Sequence, residues 1–380
     1  MTDTTTGPLG LYVHVPFCEA KCTYCHFAID PRRPGEERQE RYLAAVLREM
    51  AEAEPGEADT LYFGGGTPSL MSADRLARIV GSARTRFRLP AGAEVTVEAN
   101  PRDLDASGYR ALVAFGASRL SLGVQSLDDG VLREMGRHHT AADSVAAIGA
   151  ARSAGFANVS VDLVLGWPGE TPERWRRGLE ALLALEPDHV SLYVLEVEGK
   201  TVLAHRRQRG ALDLPDDDLV ADLYLQTAER LGARGLRRYE ISNFARPGLA
   251  SRHNGKYWDE TPFVGFGMSS HSYRGGSRWW NLDRFATYCR AVEAGESAVA
   301  GRRELSRREQ AQEALFTGLR RAVGVDLAAF RRRHRLDPLV EWERGLGEAE
   351  AAGLLEVDGQ RLRLTERGFL VSNEVFQLFV

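Results

Sequence analysis

Between residues 11 and 195 the sequence alternates six times between a short run rich in Val, Leu, Ile, Tyr or Phe and a longer run with apolar residues at helical spacing. Such alternation predicts βα units around a parallel sheet, because parallel neighbours need a crossover and an amphipathic helix supplies it. The predicted strands cover 11–15, 60–63, 94–98, 119–124, 158–165 and 189–195, and the predicted helices 37–53, 72–86, 104–115, 142–154 and 172–185. Six units suggest an incomplete (β/α)6 barrel; a doubly wound open sheet fits the same pattern.

A helix over 217–234 and an irregular strand over 236–244 come next. From 248 to 280 glycine and aromatic residues are dense, which suggests a loop-like functional cover or docking surface. Helices over 306–321, 327–334 and 338–352 then precede a hairpin turning at Asp358-Gly359, a small winged-helix-like α+β domain. A chain of 380 residues exceeds what one core usually serves. The expected division is a barrel over 1–235, a glycine and aromatic extension over 236–300 and the winged-helix-like domain over 301–380.

A net charge of −4 gives no general basic footprint. The basic run 331–335 reads as a solvated helix face, and the wing is balanced by Glu341, Glu343, Glu348 and Glu350, so a packing or covering role is preferred to DNA binding. No stretch has the ~18 apolar residues of a membrane span, and the first residues have neither the basic nor the apolar region of a leader. The expectation is a cytoplasmic protein with reduced thiols, a monomer or dimer that binds no nucleic acid.

Cys18, Cys22 and Cys25 follow the first strand within eight residues. A cubane iron–sulfur cluster can be held by three thiolates with one iron left open, whereas structural zinc is closed by four ligands. Zinc completed by His14 or His26 is the alternative. A disulfide framework is disfavoured, since three cysteines cannot all pair and Cys289 is far away in sequence. Nearly every predicted strand also delivers a glycine or polar group at its C-terminal end, Gly64-Gly65-Gly66-Thr67-Pro68, Glu98 and Gln125 among them, and the fifth carries Asp162 inside an otherwise apolar run. An open cluster beside such groups fits S-adenosylmethionine (SAM), with its amino-acid end on Gly65, Gly66 and Thr67 and its ribose or other polar groups near Glu98, Gln125 and Asp162.

Cys-x3-Cys-x2-Cys after a first strand, with the Gly-Gly-Gly-Thr-Pro ledge, resembles the radical SAM superfamily and in detail its coproporphyrinogen-dehydrogenase-like branch. The resemblance spans essentially the whole chain, including Tyr12 to Cys18, Tyr62 to Ser69, Glu98 to Pro101, Ser121 to Ser126, Gly136 to His138, Asp162 to Gly169 and the tail. It implies 4Fe–4S ligation by Cys18, Cys22 and Cys25. It also implies SAM contacts by Tyr12, Tyr24, Gly65, Gly66, Thr67, Glu98, Gln125, Arg137 and Asp162.

Decarboxylating members of that branch typically carry a further cysteine two residues after the third ligand, where this chain has Phe27, and a long N-terminal segment that is not expected here, since the first cysteine is residue 18. Both departures resemble the HemW family of haem chaperones, which implies haem binding and delivery to haem proteins such as respiratory enzymes. They speak against coproporphyrinogen dehydrogenase activity, which stays the alternative. His26 stands where that family commonly has Asp. The family's His-Asn-x-x-Tyr-Trp segment is matched by His253, Asn254, Tyr257 and Trp258, which implies haem contact by His253; bracing of an irregular loop is the other reading.

Overall fold

The computed structural model describes residues 7–31, 35–197 and 199–379; positions 1–6, where a leader was looked for, lie outside them. The βα alternation is realised as β1 (Leu9–Val15), α1 (Glu36–Glu52), β2 (Ala58–Gly65), α2 (Ala73–Arg86), β3 (Glu94–Ala99), α3 (Ala106–Phe115), β4 (Arg119–Gln125), α4 (Asp129–Met135), α5 (Ala141–Ala154), β5 (Val159–Leu165), α6 (Pro172–Leu183) and β6 (His189–Val194). The six strands pair in parallel in chain order. Sequential order without a reversal rules out the doubly wound alternative. These strands are buried nearly throughout, as sheets covered by helices require. Side chains of Ser72, Asp105, Thr140 and Thr171 cap the helices that follow them.

Within the barrel two short helices were not expected, α4 and α7 (Val202–Gln208). At seven residues each they are too brief to display a helical period, and their capping residues, Asp128 and Thr201, are the local signal. The expected helix over 217–234 is α8 (Asp217–Ala233).

The glycine and aromatic segment is built into the sheet instead of looping over it. Beyond β6 come β7 (Arg237–Arg238) and β8 (Asn243–Ala245), the latter antiparallel to β6. After α9 (Arg252–Trp258), β9 (Phe263–Phe266) lies parallel to β1, and β10 (His271–Arg274), β11 (Ser277–Asn281) and, past α10 (Phe285–Glu293), β12 (Val299–Glu304) extend that side. One sheet of twelve strands results, with β12 and β7 at its unjoined ends, an incomplete barrel. Its aromatic residues make a satellite core of Phe263, Tyr273, Leu305 and Tyr257, which is why the composition looked unlike a linker. A boundary drawn at 301 falls inside β12. Cys289 is buried on α10.

The C-terminal domain runs through α11 (Arg307–Gly318), β13 (Val325–Asp326), α12 (Leu327–His334), α13 (Pro338–Glu341), α14 (Glu343–Ala351), β14 (Leu355–Asp358), β15 (Arg361–Leu364), α15 (Glu366–Leu370) and α16 (Ser372–Phe376). It has its own core around Leu315, Phe330, Leu346, Leu362, Phe369 and Val375. The sheet order β13-β15-β14 gives the wing, turning at residues 359–360. Arg331 pairs with Asp337, and Arg333 and His334 with Glu260, so much of the basic run is engaged within the protein. The domain seats against the β6 end of the barrel: Ala322 N donates to Tyr239 O at 2.9 Å, Ile241 N to Arg320 O at 3.1 Å, and Arg238 lies over the Phe369 ring. Among the described residues no helix is long and apolar enough to cross a membrane.

Candidate functional site

The C-terminal ends of the strands open into a cavity of about 1190 Å³, roofed in part by the C-terminal domain. Every sequence-predicted site residue lines it: Cys18, Cys22, Cys25, Tyr12, Tyr24, Gly65, Gly66, Thr67, Glu98, Gln125, Arg137, Asp162 and His253.

The cysteine loop leaves β1 and is tied across its base and at its middle. Asp30 N donates to Pro16 O at 2.7 Å, and Thr23 N donates to Met135 O at the end of α4 at 3.0 Å. The three thiols are half-buried and free. Burial pushes the Cys18 thiol up to about 11 and the Cys25 thiol upward as well. Those two thiols, Cys18 and Cys25, therefore sit protonated at neutral pH until a cation displaces the protons. Among the described residues no three His, Cys, Asp or Glu side chains converge to hold a metal ion. His14 is no fourth zinc ligand: it is buried, its Nδ1 faces Tyr12 Oη at 3.2 Å and its Nε2 faces Ala28 O at 2.8 Å. Three soft thiols spread around an open cavity fit a cluster with three protein ligands better than a closed zinc site.

The glycine ledge is shaped by the loop beneath it. Gly66 N donates to Val15 O and Thr67 N to Phe17 O, both at 2.7 Å, and Gly65 N donates to Glu98 Oε2 at 3.2 Å. With those N–H groups engaged, the ledge can offer a ligand carbonyl acceptors, which suits an ammonium. Thr67 Oγ1 stands 3.5 Å from Cys18 Sγ, so ledge and cysteine loop form one surface.

Arg137 joins the two sides of the site. The left-handed turn at Gly136, φ 76°, ends α4 and sends the chain back toward Cys22. The Arg137 guanidinium then donates to Cys22 Sγ at 3.5 Å, Asn100 Oδ1 at 2.5 Å and Gly123 O at 2.6 Å. Asn100 in turn donates to Thr67 Oγ1 at 3.2 Å. Gln125 has a left-handed backbone, φ 66°, beside a register shift in β4, and this irregular strand end brings its side chain to the cavity.

Glu98 accepts from Tyr62 Oη at 2.7 Å and Asp162 from Ser121 Oγ at 3.2 Å. Burial raises both carboxyls, Glu98 to about 7, with the Asp162 charge adding to the rise at Glu98. Glu98→Gln is expected to stabilise the ligand-free protein at pH 8 by about 1–2 kcal/mol, discounted for the water of the cavity. At pH 8 Glu98 is ionised folded and unfolded, and the variant removes the desolvation cost. At pH 5 the folded protein keeps the carboxyl protonated and the gain shrinks. Thermal unfolding at both pH values checks this; a less stable variant at pH 8 would contradict it.

His253 lies in the cavity wall, fully buried, with its ring nitrogens 2.8 Å from Thr60 Oγ1 and 2.9 Å from Tyr257 Oη. Its ring stacks on Tyr62, and its backbone N–H donates to Glu94 Oε1 at 2.9 Å. Burial lowers the imidazole to about 3, so it stays neutral. In this conformation His253 braces α9, a helix where an irregular loop was expected, against β2 and β3.

Sequence reasoning missed Tyr62, Tyr193, Glu240, Asn243 and Arg320, which also line the cavity. Tyr62 was within reach of a period-two count along β2, since it pairs in register with Tyr12. Glu240 and Asn243 are bonded to each other across three residues, but Arg320 joins them only through packing of the C-terminal domain on the barrel, which no local pattern announces.

Comparison with known proteins gives a consistent result. Residues 12–182 match the model of the radical SAM superfamily, and residues 305–371 that of the HemN C-terminal domain. The "Heme chaperone HemW" of Mycobacterium tuberculosis is 38% identical over 374 residues, covering 97% of this chain and 94% of that protein. Its namesake in Bacillus subtilis is 35% identical over 379 residues, with 97% and 98% covered. Among solved structures, coproporphyrinogen III oxidase (HemN) from Escherichia coli superposes with a TM-score of 0.85 at 24% identity, covering 100% of this chain and 91% of that one, a likeness of fold.

Proposed function

The chain belongs to the HemW family of the radical SAM superfamily, and from that membership we propose that it is a haem chaperone, binding haem for delivery to haem proteins. The observation that carries this reading is the full-length similarity to haem chaperones, 38% identity over 97% of the chain. We place the site of action in the cytoplasm, with respiratory enzymes among the acceptors and a monomer or dimer as the working unit.

In this reading Cys18, Cys22 and Cys25 hold a 4Fe–4S cluster and SAM lies over the ledge. The reduced cluster with SAM supplies one-electron cleavage of a carbon–sulfur bond. The chain's own residues then have defined tasks. Arg137 fixes Cys22 and Asn100 in one geometry. Carbonyls at Gly65 and Gly66 receive the ligand's ammonium, and Glu98 and Asp162 accept from hydroxyl groups. Tyr12, stacked on Tyr62, and Tyr24, edge-on to Trp167, supply apolar walls that exclude water.

Haem is the cargo, and the cavity's apolar rim suits a flat macrocycle. Phe27, at the position of the decarboxylating members' extra cysteine, is 57% exposed, and with Tyr193 and Val194 it lines the same cavity. His253 can bind haem iron if Tyr257 turns away from Nε2. Tyr257→Phe then tightens haem binding and His253→Ala abolishes the Soret shift; if both titrate like wild type, His253 only braces α9.

The deciding experiment uses one anaerobically reconstituted sample, assayed for haem transfer to an acceptor haem protein and for decarboxylation of coproporphyrinogen III. Stoichiometric haem binding with transfer and no decarboxylated product is expected. Robust product formation would replace the chaperone by an enzyme acting on a tetrapyrrole.

A further inference from the structure

The cavity wall contributed by β8, α9 and the C-terminal domain carries hydrogen-bonding atoms that the chain leaves unmet. Glu240 is 1% exposed and Asn243 5%. The Asn243 amide donates to Glu240 Oε1, yet Glu240 Oε2 and Asn243 Oδ1 have no partner, and neither do Arg320 Nε and Trp258 Nε1 on the same cavity. A buried polar atom left unpaired costs about 1–3 kcal/mol, and native proteins tolerate few. Concentrated on one wall of a cavity, such atoms mark a receptor for a polar group brought by a ligand.

The arrangement of charge says which group. The Arg320 guanidinium lies 4.5 Å from the centre of the Trp258 ring and 5.9 Å from that of Phe376, held by ring faces, with Glu240 near but not bonded to its Nε. A planar cation on an aromatic shelf with its Nε unpaired, lining the same cavity as an unpaired indole N–H, suits a carboxylate. Burial raises the Glu240 carboxyl above its ordinary value, which lessens its repulsion of an incoming anion. Toward the cavity mouth lie Tyr193 and Val194, each 45% exposed, which can cover apolar surface.

We infer that Arg320, Trp258 Nε1 and Glu240 form the receptor for a carboxylate on the edge of an apolar ligand, a haem propionate, with Tyr193, Val194 and the Trp258 ring covering the macrocycle. The inference rests on the haem-carrier reading above. The amino-acid end of SAM carries the same chemical group, so the test separates the two sources.

The full-length reconstituted protein is titrated with haem and with haem dimethyl ester by absorbance, and with SAM by equilibrium dialysis. Wild type binds haem more tightly than the ester. Arg320→Gln weakens haem about tenfold, the usual worth of one charge-assisted hydrogen bond, and leaves the ester and SAM unchanged. Trp258→Phe, which keeps the shelf and removes only the N–H, gives a smaller loss confined to haem. Equal effects on haem and ester, no effect on either, or a loss of SAM binding in its place would overturn the receptor. Wild type binding neither haem nor ester would instead overturn the haem-carrier reading, and the receptor with it.

Discussion

Cys22→Ser is expected to empty the protein of iron: reconstitution that gives about four iron atoms per wild-type chain gives close to none in the variant. Three thiolates are the smallest set that anchors a cubane, and with Cys22 gone only Cys18 and Cys25 remain on the loop. Serine keeps the volume and still accepts from Arg137, which donates to Cys22 Sγ at 3.5 Å. The fold therefore has no reason to fail, and the variant's thermal unfolding should match ligand-free wild type to within about 0.5 kcal/mol, as for substitutions that leave no cavity or unpaired group. Iron and sulfide analysis together with unfolding checks both halves. Iron retained in full, with SAM still bound, would remove Cys22 from the ligand set.

Gly66→Ala should cost nearly as much by a different route. A β-carbon there would stand 2.7 Å from Phe17 O and 2.8 Å from Pro16 C and Val15 O, all backbone atoms with no rotamer to relieve them. The ledge or the cysteine loop must move, and the 2.7 Å bonds from Gly66 N to Val15 O and from Thr67 N to Phe17 O are what hold them together. We expect destabilisation of about 1–3 kcal/mol, the range for overpacking a tight site, and a marked fall in iron uptake because Cys18 follows Phe17 directly. Gly81→Ala is the control. On the exposed side of α2, with nothing within 4 Å of the added carbon, it should gain about 0.5–1 kcal/mol and leave iron uptake alone. Chemical denaturation and iron content of the two variants side by side test the contrast; a Gly66→Ala variant as stable and as iron-loaded as wild type would show that the ledge yields.

The barrel was legible where local pattern and burial agree. The run 119–124 became Arg119–Gln125 and the run 189–195 became His189–Val194, because each strand keeps one face apolar at alternate positions, Leu120, Leu122 and Val124 in the first and Val190, Leu192 and Val194 in the second. β9 was not legible: four residues amid glycine and aromatic side chains carry no period, and its pairing with β1 is decided by tertiary contact. In the site, the cysteines and the ledge could be read because their spacing is local. His253 was singled out by its motif, but that its ring would be bonded on both sides depends on Thr60, almost two hundred positions earlier. Arg320 was invisible for the same reason, since its meaning comes from Trp258 and Glu240 across a domain boundary.

The pairing of β1 with β9 has a consequence for how the protein is made. One edge of β1 waits for β2, but the other, over Gly10 to Val13, waits for residues 263–266, roughly 250 positions later in synthesis. Until that stretch has left the ribosome, the strand leading into Cys18 has an open flank able to pair with another chain, and its order is incomplete. Cluster insertion into a settled site is therefore a late event, after more than two thirds of the chain has been translated, and a truncated product ending before β9 would carry the whole cysteine motif on a strand with one side unsealed.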